Sequence, residues 1–118
     1  MIATVAFVAE DNVAPLPIPG QLYDLTRVVT LMATTRYRLT GRAVNEAGEL
    51  GFDEDDIVEC VCALTSAHFY KTMEADKRPG FWQDVYRTEH GGIPLYVKGQ
   101  LEGMNPDDLL VVIQFKRL

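Results

Sequence analysis

The hydrophobic period of this chain changes once, at Gly80, and no other feature restricts its folding as much. Before Gly80, apolar residues recur every three or four positions, as on the buried stripe of a helix; after it they alternate, as on a half-buried strand. The alternating runs are Phe81 to Glu89, Ile93 to Leu101 and Leu109 to Leu118. Gly91-Gly92 separates the first two, and paired glycines suit a two-residue hairpin whose central residues need positive φ. A longer connection, Gly103 to Asp108, separates the last two. These runs predict an antiparallel meander built from the C-terminal half.

Upstream, Leu25, Val28, Val29 and Met32 define a helix over Tyr23 to Thr34 with Asp24 available as its cap. Thr40 caps a second helix carrying Ala43, Val44, Ala47 and Leu50, and Gly51 ends it in a left-handed conformation. Asp53 opens a third, where the four acids Asp53 to Asp56 meet the positive end of the helix dipole. A fourth, short helix is expected from Thr65 or Ser66 through Phe69, Tyr70 and Met73, ended by Lys77-Arg78-Pro79-Gly80. Helices followed by a meander imply an α+β domain, with the helices on one face of a small antiparallel sheet.

At the N-terminus, Met1 to Val8 has the β-branched and aromatic content of a strand, and Pro15, Pro17 and Pro19 forbid regular structure just after it. Residues 1–20 therefore read as a strand-like appendage with a proline-rich linker, and residues 21–118 as one domain. An unpaired apolar strand needs a sheet edge, either its own or that of a second copy in a homodimer. The Met1–Ala9 run lacks basic residues and is far shorter than the ~20 residues that span a bilayer, so a cytoplasmic protein with no membrane contact is expected.

The net charge of −6 conceals two surfaces. Residues 1–70 hold four basic and ten acidic side chains, whereas residues 71–118 hold seven of each. Alternation sorts the strand residues into faces: Leu95, Val97, Ile113 and Phe115 are expected inside, and Tyr96, Lys98, Gln114 and Lys116 outside. Gln83 and Arg87 extend that outer face across the first strand. The resulting patch holds Lys, Arg, Tyr and Gln but no carboxylate, a combination that neutralises phosphates and offers a ring on which a base can stack.

Four segments carry a more specific signal: Leu64-Thr-Ser-Ala-His-Phe-Tyr-Lys-Thr-Met73, Phe81-Trp-Gln-Asp-Val-Tyr-Arg87, Leu95-Tyr-Val-Lys98 and Leu110-Val-Val-Ile-Gln-Phe-Lys116. In this order, after a helix ending Glu49-Leu-Gly-Phe-Asp53, they resemble the MqsR family of type II toxin–antitoxin toxins over about Thr40 to Lys116. The resemblance implies a RelE-like α+β fold and an endoribonuclease, or mRNA interferase, that cuts messenger RNA and is silenced by a cognate antitoxin. By position it implies catalytic roles for Lys71, Gln83, Tyr96 and Lys116. Arg87, Lys98 and Gln114, on the same face, are the RNA-binding candidates. A non-catalytic family member whose acidic helices bind another protein is the alternative.

The implied chemistry is attack of a ribose 2′-hydroxyl on the adjacent phosphorus with departure of the 5′-oxygen, and no cofactor or metal is expected. Proton transfer by Lys or Tyr requires ordinary pKa values near ~10 to move down, which clustered cations are expected to achieve. His68 and His90 are read as structural, Cys60 and Cys62 as helix packing, and Trp82 and Tyr86 as core aromatics.

Overall fold

The computed structural model describes residues 23–118. The appendage and linker expected over residues 1–20, with the strand pairing proposed for Met1 to Val8, lie outside the described residues. The elements, in chain order, are α1 (Leu25–Ala33), β1 (Tyr37–Leu39), α2 (Gly41–Glu49), α3 (Glu54–Cys62), a 3-10 turn (Ser66–His68), β2 (Phe69–Glu74), β3 (Trp82–His90), β4 (Ile93–Glu102) and β5 (Leu109–Arg117). No helix among them is long and apolar enough to cross a membrane.

The three helix starts follow their caps. Asp24 accepts the Thr26 N–H at 2.9 Å, and Thr40 accepts that of Ala43 at 3.1 Å. Asp53 and Asp56 exchange side-chain and backbone bonds in a capping box. Gly51 adopts φ 83° after α2, as its position demands. The β3–β4 hairpin pairs His90 with Ile93 across Gly91 and Gly92, at φ 58° and 80°. That geometry lets the strand twist pass through the turn.

The architecture is α+β, but the expected antiparallel sheet is a mixed one. Its order is β1-β5-β4-β3-β2, and β1 runs parallel to β5 while every other pair is antiparallel. The three-residue strand β1 is too short to show a period, so the alternation argument passes over it. One sheet face carries Tyr86, Leu95, Val97, Leu110, Val112 and Phe115 into a core with Val28, Leu31 and Met32 of α1 and Ile57, Cys60 and Val61 of α3. Phe115 is fully buried, so its truncation to Ala removes about 3–5 kcal/mol.

The expected fourth helix is instead a single 3-10 turn followed by strand β2. A bulge at Tyr70, between the paired residues Phe69 and Lys71, explains the misleading spacing. It places Phe69 and Thr72 on the same face, opposite Tyr86 and Asp84, so a strand with one extra residue imitates the three-residue step of a helix. The same segment is rich in aromatic and β-branched residues, and pairing it satisfies the backbone of β3.

A second bulge corrects the expected burial of Ile113. Gly99 pairs with Val112 but Lys98 pairs with Gln114, leaving Ile113 as the extra residue of β5. Alternation slips there: Val112 and Phe115 face the core, and half-buried Ile113 lines the opposite face. Helix α2 secures this bulge. Thr40 donates through Oγ1 to the Ile113 carbonyl at 2.9 Å, and Glu46 Oε1 accepts the Phe115 N–H at 3.0 Å. Ala43 and Ala47, both fully buried, let α2 lie close to β5, covering the edge that β1 leaves after Leu39.

Candidate nucleic-acid interface

The helix-free sheet face is organised in cross-strand rows. Arg87, Tyr96 and Lys116 form one row across β3, β4 and β5. Lys71, Val85, Lys98 and Gln114 form the next across β2 to β5. Met73 opposes Gln83, and Gln100 opposes Val111, which opposes Arg38; a Gln83 Nε2 to Gln100 Oε1 hydrogen bond of 3.0 Å joins these into a third row. All seven sequence-derived candidates therefore share one face, and the correction to β2 moves Lys71 onto it as a strand residue.

Their roles within the face differ. Lys71 and Arg87 are exposed, Tyr96 and Lys116 half-buried, and Gln83, Lys98 and Gln114 buried. The Tyr70 ring, turned outward by the bulge, holds the Arg87 guanidinium at 3.6 Å and the Lys71 ammonium at 5.4 Å from its centroid. Tyr96 has Lys116 at 4.9 Å and Lys98 at 6.0 Å from its centroid, and its hydroxyl donates to Met73 Sδ at 3.7 Å. Gln114 reaches Glu46 Oε2 at 3.5 Å, which ties it to the α2 anchor.

A groove continues this face beyond the rows. Arg38, Arg42, Lys77, Arg78 and Lys98 line it with Gln83 and Gln100, against only two carboxylates, Asp76 and Glu102. Glu102 is already engaged by Arg38 at 3.3 Å and Arg78 at 3.8 Å. Arg42 is paired with Glu46 at 3.2 Å, and the lining still keeps an excess of cations inside an acidic protein. Sequence reasoning missed Arg38 and Arg42, whose place depends on β1 and on α2 wrapping the β5 edge, and Lys77 and Arg78, which sit in the loop between β2 and β3. The concentration of basic residues after residue 70 pointed to two of them.

The electrostatics separate Lys98 from Tyr96. Burial above all pushes the Lys98 ammonium below its ordinary range, with Arg42, Lys116 and Lys71 adding to the fall and Asp76 opposing it. Tyr96 moves the other way: burial raises it first, Tyr70 and Asp76 raise it further, and Arg42 opposes. Clustered cations were expected to lower both groups, and for the phenol burial outweighs them.

The remaining polar clusters have structural partners. His68 Nδ1 accepts the Thr65 N–H at 2.9 Å and so caps the 3-10 turn. His90 Nε2 lies 3.1 Å from Asp56 and 3.8 Å from Glu59, with its ring edge-on to Phe52. Those three side chains form the candidate metal-binding group found among the described residues, yet none of them lines the groove. Cys60 is buried in the α3 core face, as expected.

Comparison with known proteins shows the family. A family model described as motility quorum-sensing regulator, toxin of MqsA, matches residues 21–117. The mRNA interferase toxin MqsR of Escherichia coli (strain K12) is 35% identical over 77 residues, which cover 65% of this chain and 72% of that protein. The matched span contains every strand of the sheet and all seven candidate residues on its open face, and the chain belongs to the MqsR toxin family.

Proposed function

We propose that this chain is an endoribonuclease toxin of a toxin–antitoxin system, which cuts messenger RNA on the open face of its sheet and is held inactive by a cognate antitoxin. Family membership supports the activity. The observation that supports the location is the three-row cluster of Lys71, Gln83, Tyr96 and Lys116, beside a groove with five cations and two carboxylates. The arrangement of helices on the other face is read as RelE-like.

In this reading Arg87 and Lys98 meet the RNA backbone and Gln114 positions the β5 end of the face. Lys71 and Lys116 stabilise charge on the scissile phosphate, Tyr96 takes part in proton transfer, and Gln83, fixed by Gln100, orients the ribose or phosphate as a neutral donor. Lys71, Arg87 and Lys116, which are exposed or half-buried, can approach a polyanion without disturbing the core.

Induced expression tests the proposal. The wild type is expected to arrest growth and to be relieved by co-expression of its antitoxin. Lys71→Ala, Tyr96→Phe and Lys116→Ala are expected to relieve arrest while remaining folded. Undiminished toxicity of all three folded variants would overturn the site assignment.

A further inference from the structure

We propose that Lys98 is the general base of the cleavage reaction and that Tyr96, two residues earlier on the same strand and face, is its general acid. This inference rests on the endoribonuclease reading and assigns a role to a lysine that the family resemblance does not place among the four catalytic positions.

The geometry carries the assignment. β4 is the central strand of the five, so Lys98 and Tyr96 stand at the middle of the open face rather than at its rim. Lys98 is only 6% exposed, yet it lines the groove. Among the described residues no carboxylate forms an ion pair with its ammonium, and the Tyr96 ring centroid lies 6.0 Å from it. Charge reaches it from Lys71 of β2, Lys116 of β5 and Arg42 of α2, with Asp76 of the β2–β3 loop opposing them, while β3 sets the uncharged Val85 across from it. A buried amine in such surroundings gives up its proton more readily than an exposed one, which brings the free-base form nearer to neutral pH. Tyr96 is held in the opposite sense, as a phenol that retains its proton. Two adjacent titratable groups driven apart by their environments are the physical signature of a base and an acid working together.

The step balances without any co-reactant. Lys98 Nζ takes the proton of the ribose 2′-hydroxyl, and the 2′-oxygen forms a bond to the adjacent phosphorus as the bond from phosphorus to the 5′-oxygen breaks. The 5′-oxygen takes the Tyr96 phenolic proton. The products are a 2′,3′-cyclic phosphate and a 5′-hydroxyl end, and water returns the proton from the Lys98 ammonium to the phenolate.

Cleavage of a defined RNA by the purified full-length chain tests the assignment. Lys98→Arg holds a permanent cation at this position and cannot supply a lone pair at neutral pH, so RNA binding is expected to persist while kcat falls about 10²–10⁴-fold. Lys98→Ala is expected to recover activity with added methylamine, in proportion to the free-base form. Tyr96→Phe should remove the alkaline limb of the pH profile. A Lys98→Arg enzyme within about fivefold of wild type, or a folded Lys98→Ala enzyme that amines do not rescue, would make Lys98 a phosphate-binding cation only and overturn the proposal. An independent reading comes from NMR titration of the lysine Cε groups in the wild-type chain. Lys98 is expected to lose its proton below the exposed lysines, and titration together with them would overturn the proposal even if the chain failed to cut RNA. That failure would separately contradict the proposed function.

Discussion

Lys116 lies directly across the β4–β5 ladder from Tyr96, with its ammonium 4.9 Å from the ring centroid. In the proposed site this contact sets a cation beside the ring whose hydroxyl is assigned to proton transfer. Lys116→Ala removes that charge from a half-buried side chain, so stability is expected to change by no more than about 0.5 kcal/mol. Cleavage is expected to fall about 10²–10³-fold, as when one donor to a developing oxyanion is removed. Single-turnover kinetics beside a urea unfolding curve check both parts.

Glu46 closes the β5 bulge by accepting the Phe115 N–H. Glu46→Ala leaves that backbone donor unpaired near the core, at a cost of about 1–3 kcal/mol. Glu46→Gln keeps an acceptor and is expected to lose less. Because the bulge also sets Gln114 and Lys116 on the open face, the Ala variant is expected to lose RNA affinity as well. Equilibrium unfolding and RNA titration of the two variants provide the check.

Acid is expected to destabilise the protein through two carboxylates. Arg27, bonded to Asp108 through Nε at 3.2 Å and through Nη2, holds the Asp108 carboxyl below its ordinary range. The Asp53 backbone N–H and then His90 do the same for Asp56. A lowered carboxyl pKa stabilises the folded state above about pH 4, the ordinary aspartate value, and that contribution disappears as pH falls through the lower folded-state value. Urea midpoints measured from pH 6 down to pH 2 should therefore decline at the acid end, and the decline should be shallower in Asp108→Asn.

Salt should weaken RNA binding in proportion to the phosphates engaged. Each cation that meets a phosphate of a single strand contributes about 0.7 to the slope of log affinity against log salt. Arg42→Ala and Lys77→Ala, which remove two groove cations, are each expected to flatten the slope by about that amount. An unchanged slope in both would place the RNA path elsewhere.

The sequence was informative wherever a local rule decided the outcome. Thr40, Asp53 and Gly51 announced their helix ends, and Gly91-Gly92 announced the hairpin, because caps and positive φ are short-range demands. Tyr96, Lys98, Gln114 and Lys116 were placed on one face by a period of two. The failures have one physical origin in bulges and long-range pairing. The extra residue at Tyr70 disguised β2 as a helix, and the one at Ile113 reversed that side chain's face. β1 and the Arg38 and Arg42 walls of the groove exist only because β1 pairs with β5, more than seventy residues away. The opposite pKa directions of Lys98 and Tyr96 depend on burial that no local pattern encodes.

The central claim is that the open sheet face cuts RNA, and the most direct measurement is the chemistry of the ends that it leaves. Messenger RNA, free and in a reconstituted translation mixture, is exposed to the purified wild type and to a Lys71→Ala/Tyr96→Phe/Lys116→Ala variant. The wild type is expected to produce new 5′-hydroxyl and 2′,3′-cyclic phosphate ends, a single 2′-deoxy substitution is expected to block the cut at that site, and the folded variant is expected to leave the RNA intact. Equal cleavage by the variant, or cutting that ignores the 2′-deoxy substitution, would contradict the account.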